Sequence, residues 1–319
     1  MFDIICIGSA TIDVFVDTEN KLFHGKKDKV LVPFGSKILI EDMRVSTGGG
    51  GSNTASAFSR FGFRTGYIGN LGDDEHTLTL LDSMKKDKVN TSLAVKRGRS
   101  GYSVILDAKG HDRTILAFKG SNNDLRSSDI KFSRLKTKLF YFGTMLDQAY
   151  KTQYVIAKHA KQKKIPVAMN MSLYLAKKGK KFLAPMLKCA DIIIMNKEEA
   201  KALTKKSKVP EQIKELHKFG PGTVVVTDSK NGAYASNGKE RLHVYARKLK
   251  IIEATGAGDA FASGFVAGII RHKDLRYALQ MGQAEAESVL THYGAKEKLL
   301  TLAEIKNIIK KKPAKITRF

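Results

Sequence analysis

The stretch Glu253-Ala254-Thr255-Gly256-Ala257-Gly258-Asp259 runs straight into the apolar-periodic segment Ala260–Ile270. A glycine-rich turn that opens a helix leaves several backbone N–H groups without intrahelical carbonyls. Those donors, together with the helix dipole, favour an anion. Asp259 is then the odd residue. A carboxylate at the mouth of an anion site can cap the helix, and it is also placed to take a proton from a hydroxyl beside a phosphate. Taken alone, the stretch also reads as a plain glycine turn with Asp259 as an ordinary cap, so the rest of the chain has to decide.

Upstream of it, short β-rich runs alternate with amphipathic helical patterns. Ile4–Ile7, Gly66–Gly69, Leu139–Phe142, Val167–Met171, Ile192–Met195 and Val224–Thr227 read as buried strands, because their apolar residues are continuous rather than alternating. Ser52–Phe61 places Ala55, Phe58 and Phe61 on one face and ends at Gly62; Ala149–Lys161 covers the gap before Val167; Glu211–Phe219 follows Pro210 and ends at Gly220. This alternation predicts an α/β fold, a three-layer α/β/α sandwich with a largely parallel central sheet. Two regions break the rhythm. Val14–Arg44 and Val95–Lys119 hold extended pieces of mixed polarity (Lys37–Glu41, Tyr102–Leu106, Arg113–Phe118), which predict a few antiparallel strands outside the main sheet and a candidate lid. The Lys-rich end Lys310–Phe319 reads as a terminal helix followed by a loose tail.

Composition bounds the remaining classes. The chain has 319 residues, 42% of them hydrophobic, and no apolar run long enough to span a bilayer, so a protein with a large buried core and no membrane partner is expected. The first residues, Met1 to Gly8, lack a basic segment before their short apolar run and read as a first strand rather than an export signal. Only Cys6 and Cys189 are present, each in apolar surroundings, which suits two reduced core thiols and a cytoplasmic location. The net charge of +25, from 56 basic against 31 acidic residues, raises nucleic acid as a partner. The lysines, however, are scattered over Lys85-Lys86, Lys163-Lys164, Lys177–Lys181, Lys205-Lys206 and Lys310–Lys312, with no aromatic interleaving and no base-reading motif. A solvated basic surface that attracts phosphorylated small molecules is the expectation, without a specific nucleic-acid partner.

Three further motifs carry chemistry. Thr47-Gly48-Gly49-Gly50-Gly51-Ser52-Asn53 precedes a helix directly. Its glycines let a ligand approach the backbone, and Asn53 offers a donor and an acceptor to vicinal hydroxyls; a flexible linker with Ser52 as cap is the alternative. Asn196-Lys197-Glu198-Glu199 follows a strand at its carboxyl end, where open α/β sheets bind ligands. Asn196 and Glu199 can face one spot, with Glu199 near a hydrated Mg²⁺ that carries nucleotide phosphates, or they simply start a helix. Val226-Thr227-Asp228-Ser229-Lys230-Asn231-Gly232 is a strand and turn whose Thr227 and Ser229 hydroxyls can contact phosphate or ribose, or an ordinary hairpin turn.

These motifs, in this order and over nearly the whole chain, resemble the PfkB-type carbohydrate kinases of the ribokinase-like family. Gly48-Gly49 with Asn53 matches the family's N-terminal signature, and Gly69-Asn70-Leu71-Gly72-Asp73-Asp74 its early glycine-aspartate turn. Asn196–Glu199 matches its Asn-x-x-Glu motif, and Thr255–Asp259 its C-terminal signature. The resemblance implies a single kinase domain over residues 1–319 with a small β lid from insertions at about 14–44 and 95–119. It implies phosphoryl transfer from ATP, with Mg²⁺, to a hydroxyl of a sugar or nucleoside. Asp259 would be the base and Gly256, Ala257 and Gly258 the anion hole. Asp13, Gly49, Gly50 and Asn53 would grip the acceptor, with Asn196, Thr227, Ser229 and Gly232 on the nucleotide and Glu199 on the metal. Exposed lid strands could also pair two copies as a homodimer.

There are departures from the pattern. Glu253-Ala254 replaces the family's usual Asp-Thr, whose Asp helps to form a monovalent-cation site in many members, so potassium activation is in doubt. His76 and Ser229 each stand where a glycine is frequent. A non-catalytic sugar or nucleotide sensor on the same fold is the alternative, against which the intact Asp259 and glycine turn count.

Overall fold

The computed structural model describes residues 1–17, 34–107 and 114–319. In chain order the strands are β1 (Phe2–Ile7), β2 (Thr11–Asp17), β3 (Asp42–Gly48), β4 (Thr65–Ile68), β5 (Asn70–Leu71), β6 (Val95–Lys96), β7 (Gly101–Asp107), β8 (Thr114–Phe118), β9 (Thr137–Phe142), β10 (Val167–Asn170), β11 (Ile192–Asn196), β12 (Thr223–Thr227), β13 (Ala233–Ser236), β14 (Arg241–Val244) and β15 (Ile316–Arg318). The helices are α1 (Gly50–Arg60), α2 (His76–Lys86), α3 (Asp147–Gln162), α4 (Leu173–Ala176), α5 (Lys180–Leu187), α6 (Lys197–Thr204), α7 (Val209–His217), α8 (Ala257–His272), α9 (Leu275–Leu290) and α10 (Leu302–Lys311). Among the described residues, no helix is long and apolar enough to cross a membrane.

Nine strands form the main sheet in the order β15-β14-β13-β12-β11-β10-β9-β1-β4. It is parallel from β12 through β4, and β13, β14 and β15 close one edge antiparallel. The continuous apolar strands behave as their pattern requires, because successive side chains enter opposite layers. Ile4, Cys6, Tyr141 and Ile194 join a core with α1, α8 and α9, whereas Ile5, Ile7, Phe140 and Ile193 join a second core with α3, α5, α6 and α7. The three layers expected from sequence are therefore present, with boundaries shifted by a few residues. Parallel pairing also gathers the carboxyl ends of β1, β9, β10, β11 and β12 on one side of the sheet, where ligand crevices form.

A separate four-stranded sheet has the order β3-β2-β7-β8. Here the sequence expectation needs correction. Lys37–Glu41 forms no strand; the pairing segment is Asp42–Gly48, and the partner strand begins at Thr11 rather than Val14. The central pair β2–β7 is parallel, flanked by two antiparallel pairs, because β2 and β7 both enter the sheet from the main body. Val95-Lys96 lies outside this sheet and pairs with Asn70-Leu71. Residues 18–33 of the first expected insertion, and 108–113 of the second with Arg113, lie outside the described residues.

Two smaller readings also change. The C-terminal residues are not a loose tail, since Ile316–Arg318 adds an antiparallel edge strand to β14 and the Phe319 ring meets Tyr234 edge-on at 5.2 Å. Of the two free thiols, Cys6 is fully buried, but Cys189 is only half-buried at the end of α5, so it is not a core residue.

Candidate active site

Two helix starts meet over the carboxyl ends of the parallel strands. Asp259, in the first turn of α8, accepts a hydrogen bond from Asn53 Nδ2 of α1 at 2.9 Å. The two termini are chemically unlike. After Gly50, the first-turn N–H groups of α1 are spent, since Gly51 and Ser52 both donate to the Ser9 carbonyl at 3.0 and 3.1 Å and the Asn53 N–H donates to the Gly49 carbonyl. In α8 only Ala257 N–H turns back, to the Ala254 carbonyl at 3.3 Å. The Gly258 and Asp259 N–H groups have no intrahelical acceptor, so the start of α8 keeps donors open of the kind that suit an anion. Gly256 caps it with φ +80°, and a Cβ there would lie 2.4 Å from the Ala295 carbonyl, so only glycine fits.

Asp259 sits at a cavity of about 360 Å³ also lined by Ser9, Gly50, Asn196, Glu199 and Thr227. Burial raises its pKa, the Asn53 hydrogen bond opposes that, and the nearby Asp13 carboxylate raises it further. A carboxylate poised upward is a better base near neutrality. Asp13 is itself buried on β2, held by Thr11 Oγ1 donating at 2.9 Å, with its pKa raised chiefly by burial. Gly48 makes room for it, since a Cβ there would fall 1.9 Å from Asp13 Oδ2. Asn53 is buried and its Oδ1 has no partner among the described residues, leaving an acceptor beside Asp259.

The four glycines of the N-terminal run do different jobs. Gly49, at φ +92°, points its missing side chain at the Ser9 carbonyl and Ala10 backbone, 2.6 and 2.7 Å away, so it serves the close packing of the turn. Gly50 faces the carboxylate, its would-be Cβ 3.4 Å from Asp259 Oδ1. Helix α1 begins at Gly50, so Ser52 is a buried first-turn residue and not the cap. Lys296 Nζ donates to Ser52 Oγ at 3.0 Å, and burial pushes that ammonium down to about 8.

Asn196 and Glu199 are reciprocal caps of α6. Asn196 Oδ1 accepts from Glu199 N–H at 2.8 Å, and Glu199 Oε2 accepts from Asn196 N–H at 2.7 Å. Both also line the cavity, so the helix-start and ligand readings coincide. Burial pushes Glu199 up from 4.5 to about 7, and Asp259 adds to the shift. In the ligand-free protein the folded chain therefore holds a proton that the unfolded chain releases near pH 4.5, and stability falls as pH rises toward 7. Glu199→Gln is expected to flatten part of that loss, read as a smaller drop in Tm between pH 4.5 and 7. An unchanged slope would show that Glu199 is solvated.

Thr227 lines the cavity, while Ser229 and Gly232 bound the adjoining turn Ser229–Asn231. Ser229 has φ +45°, the left-handed region where glycine is cheaper, so the departing residue keeps a glycine's backbone. Gly232, at φ +91°, lies against the Val244 carbonyl. The early glycine-aspartate turn is structural: Asp74 accepts from Ser100 N and Oγ at 2.7 and 2.6 Å. His76 instead meets Tyr102 of the small sheet at 5.6 Å.

The sequence reading missed Ser9, Lys119, Asn122, Thr144, Asn170 and Tyr174, all of which line the cavity. A signal existed for some of them. Ser9, Thr144 and Asn170 lie at or just past the carboxyl ends of parallel strands, where crevice residues are expected. Lys119, Asn122 and Tyr174 had none, because they reach the cavity from the end of the small sheet, the helical turn after it and the short helix α4.

Residues 1–302 match the family described as pfkB family carbohydrate kinase. The 5-dehydro-2-deoxygluconokinase of Bacillus licheniformis is 26% identical over 325 residues, covering 97% of this chain and 96% of that protein. Adenosine kinase from Sinorhizobium meliloti superposes with a TM-score of 0.83 at 21% identity, covering 96% of this chain and 98% of the other. Ribokinase from Thermotoga maritima does so at 0.82 and 20%, covering 97% and 100%. At that identity the structural likeness establishes the ribokinase-like fold.

Proposed function

We propose that this chain, which belongs to the pfkB family of carbohydrate kinases, uses Asp259 as the general base in moving the γ-phosphoryl group of ATP to a sugar or nucleoside hydroxyl. Enzymes of this family are phosphotransferases with an alcohol acceptor, and in general they use ATP with a divalent metal ion. The observation that carries the reading is Asp259 itself: a carboxylate held by Asn53 at 2.9 Å, beside the open N–H groups of α8 and facing the bare Gly50.

Phosphoryl transfer asks for positioning and fixed charge more than covalent help. The acceptor hydroxyl would donate to Asp259, with Asp13 and Asn53 Oδ1 taking hydrogen bonds from its neighbours. As the acceptor oxygen bonds to the γ-phosphorus, the bond from that phosphorus to the β–γ bridging oxygen breaks. The hydroxyl proton passes to Asp259, and ADP leaves with the bridging electron pair. The α8 N-terminus would hold the migrating group's oxygens, while Asn196, Thr227, Ser229 and Gly232 would serve the nucleotide.

The described residues contain no cluster of three acidic, His or Cys ligands. Glu199, the cavity carboxylate besides Asp259, suits a hydrated Mg²⁺ delivered by the phosphates, which when bound would neutralise their charge. The small sheet is read as a lid, because it carries Asp13 while the main body carries Asp259, so an acceptor between them would draw the two together. Amides of β3 and β7 are expected to exchange more slowly with acceptor bound, by hydrogen exchange; unchanged rates there, with protection near Asn53, would sink the lid. Exposed Met43, Val45, Ile115, Leu116 and Phe118 support homodimer pairing through this sheet. The free thiols support a cytoplasmic location.

The direct test is ADP formation with Mg²⁺-ATP across neutral sugars, sugar acids, sugar phosphates and nucleosides. Acceptor-dependent ADP is the expected result. Tight ATP binding with no turnover on any acceptor would favour the sensor.

A further inference from the structure

We propose that the acceptor is an anionic sugar, one bearing a carboxylate or a phosphate, and that Lys119 pairs with that group; this rests on the phosphotransferase reading above. Among the described residues lining the cavity, Lys119 is the one cation, set against the carboxylates of Asp259 and Glu199. Three basic side chains elsewhere in the molecule show the contrast, each committed to a carboxylate: Arg97 to Asp129 at 2.9 Å, Lys197 to Asp228 at 2.9 Å and Arg247 to Glu287 at 2.8 Å. Lys119 has no carboxylate within ion-pair reach among the described residues. The buried Asp13 attracts it only at longer range, and its Nζ lies 5.8 Å from the centre of the Tyr174 ring.

Its position is fixed rather than incidental. Asn122 donates through Nδ2 to the Lys119 carbonyl at 3.0 Å and to the Ala10 carbonyl at 2.9 Å, and its Oδ1 accepts from Ala10 N–H at 2.9 Å. That clamp ties the end of β8 to the chain just before Thr11 and Asp13, so the Lys119 stem leaves from the acceptor end of the cavity. Gly120, at φ +49° with the Arg99 carbonyl 2.4 Å from its would-be Cβ, holds the turn behind it. Burial pushes the Lys119 ammonium downward, the mark of a cation short of solvent and counter-charge. A neutral sugar would leave it so, whereas an anionic group would satisfy it with a charge-assisted hydrogen bond.

The test measures kcat/KM with Mg²⁺-ATP for the full chain and for Lys119→Gln and Lys119→Arg. The acceptors are glucose, fructose, ribose and adenosine, beside aldonates and 2-keto-aldonates for the carboxylate arm and fructose 6-phosphate and ribose 5-phosphate for the phosphate arm. An anionic acceptor is expected to have the highest kcat/KM. Its advantage over neutral acceptors should fall roughly 10- to 100-fold in Lys119→Gln and be largely kept in Lys119→Arg. Which arm responds identifies the acid group. A neutral acceptor that ranks first overturns the inference and leaves the kinase reading standing. So does a Lys119→Gln loss equal for both classes, which would assign Lys119 to ATP. No ADP from any acceptor overturns the kinase reading, and this inference with it.

Discussion

Asp259→Asn is expected to lower kcat by about 10²–10⁴-fold, the usual cost of losing a general base, while ATP and acceptor binding stay nearly intact. The amide keeps the size of the side chain, and its oxygen can still accept from Asn53 Nδ2 at the 2.9 Å contact, so the join between α1 and α8 survives. What it loses is the ability to take the hydroxyl proton. Stability should not suffer, because burial raises the Asp259 pKa and the ionised carboxylate is the costlier state in the fold. In sign, a raised folded pKa means stability lost as pH rises through it, and the neutral amide removes that loss. Single-turnover kinetics with calorimetric Kd values would check both halves. Wild-type kcat in the variant would remove Asp259 from the role of base.

Gly50→Val is expected to cut acceptor kcat/KM by roughly 10²-fold or more while ATP affinity holds, since a small misplacement of the reacting group is worth that much. Its Cβ would stand 3.4 Å from Asp259 Oδ1, and the γ-methyls would fill space that an acceptor hydroxyl needs. The backbone at Gly50 is ordinary helix, so the cost should fall on the site. Gly49→Val makes the contrast. At φ +92°, with backbone atoms 2.6 Å from its Cβ, it should lower Tm and weaken both ligands together. Equal loss of both ligands in Gly50→Val, at unchanged Tm, would mean that the acceptor does not approach Asp259 from this side.

Much of the site was legible because its parts are local. The α8 turn, the Asn196–Glu199 pair and the N-terminal glycines each declare a helix start within a few residues, where short-range sterics and orphan N–H groups leave few options. Pairing was not legible in the same way. The sequence reading assigned Gly49 and Gly50 alike to the acceptor, yet only Gly50 faces the carboxylate, because the Ser9 and Ala10 backbone occupies the other's side. Lys37–Glu41 looked like a strand by composition, but the strand is Asp42–Gly48, which matches β2 residue for residue from Thr11 to Asp17. The C-terminal segment looked loose because three strand residues after a lysine run carry no period of their own; their partner is Arg241–Val244.

By itself the sequence determined that this chain folds in three layers, since strands apolar at every position must be covered on both faces, and that α8 opens on an anion-seeking turn with a carboxylate in it. Only the tertiary structure decided that Asn53, 206 residues away, would hold that carboxylate. It also decided that Asp13, in a hollow left by Gly48 on a second sheet, would come near enough to Asp259 to raise its pKa, and that one lysine of many would line the Asp259 cavity. Periodicity and turn chemistry act over a few residues, whereas those meetings depend on strand order and crossovers that the local pattern does not encode.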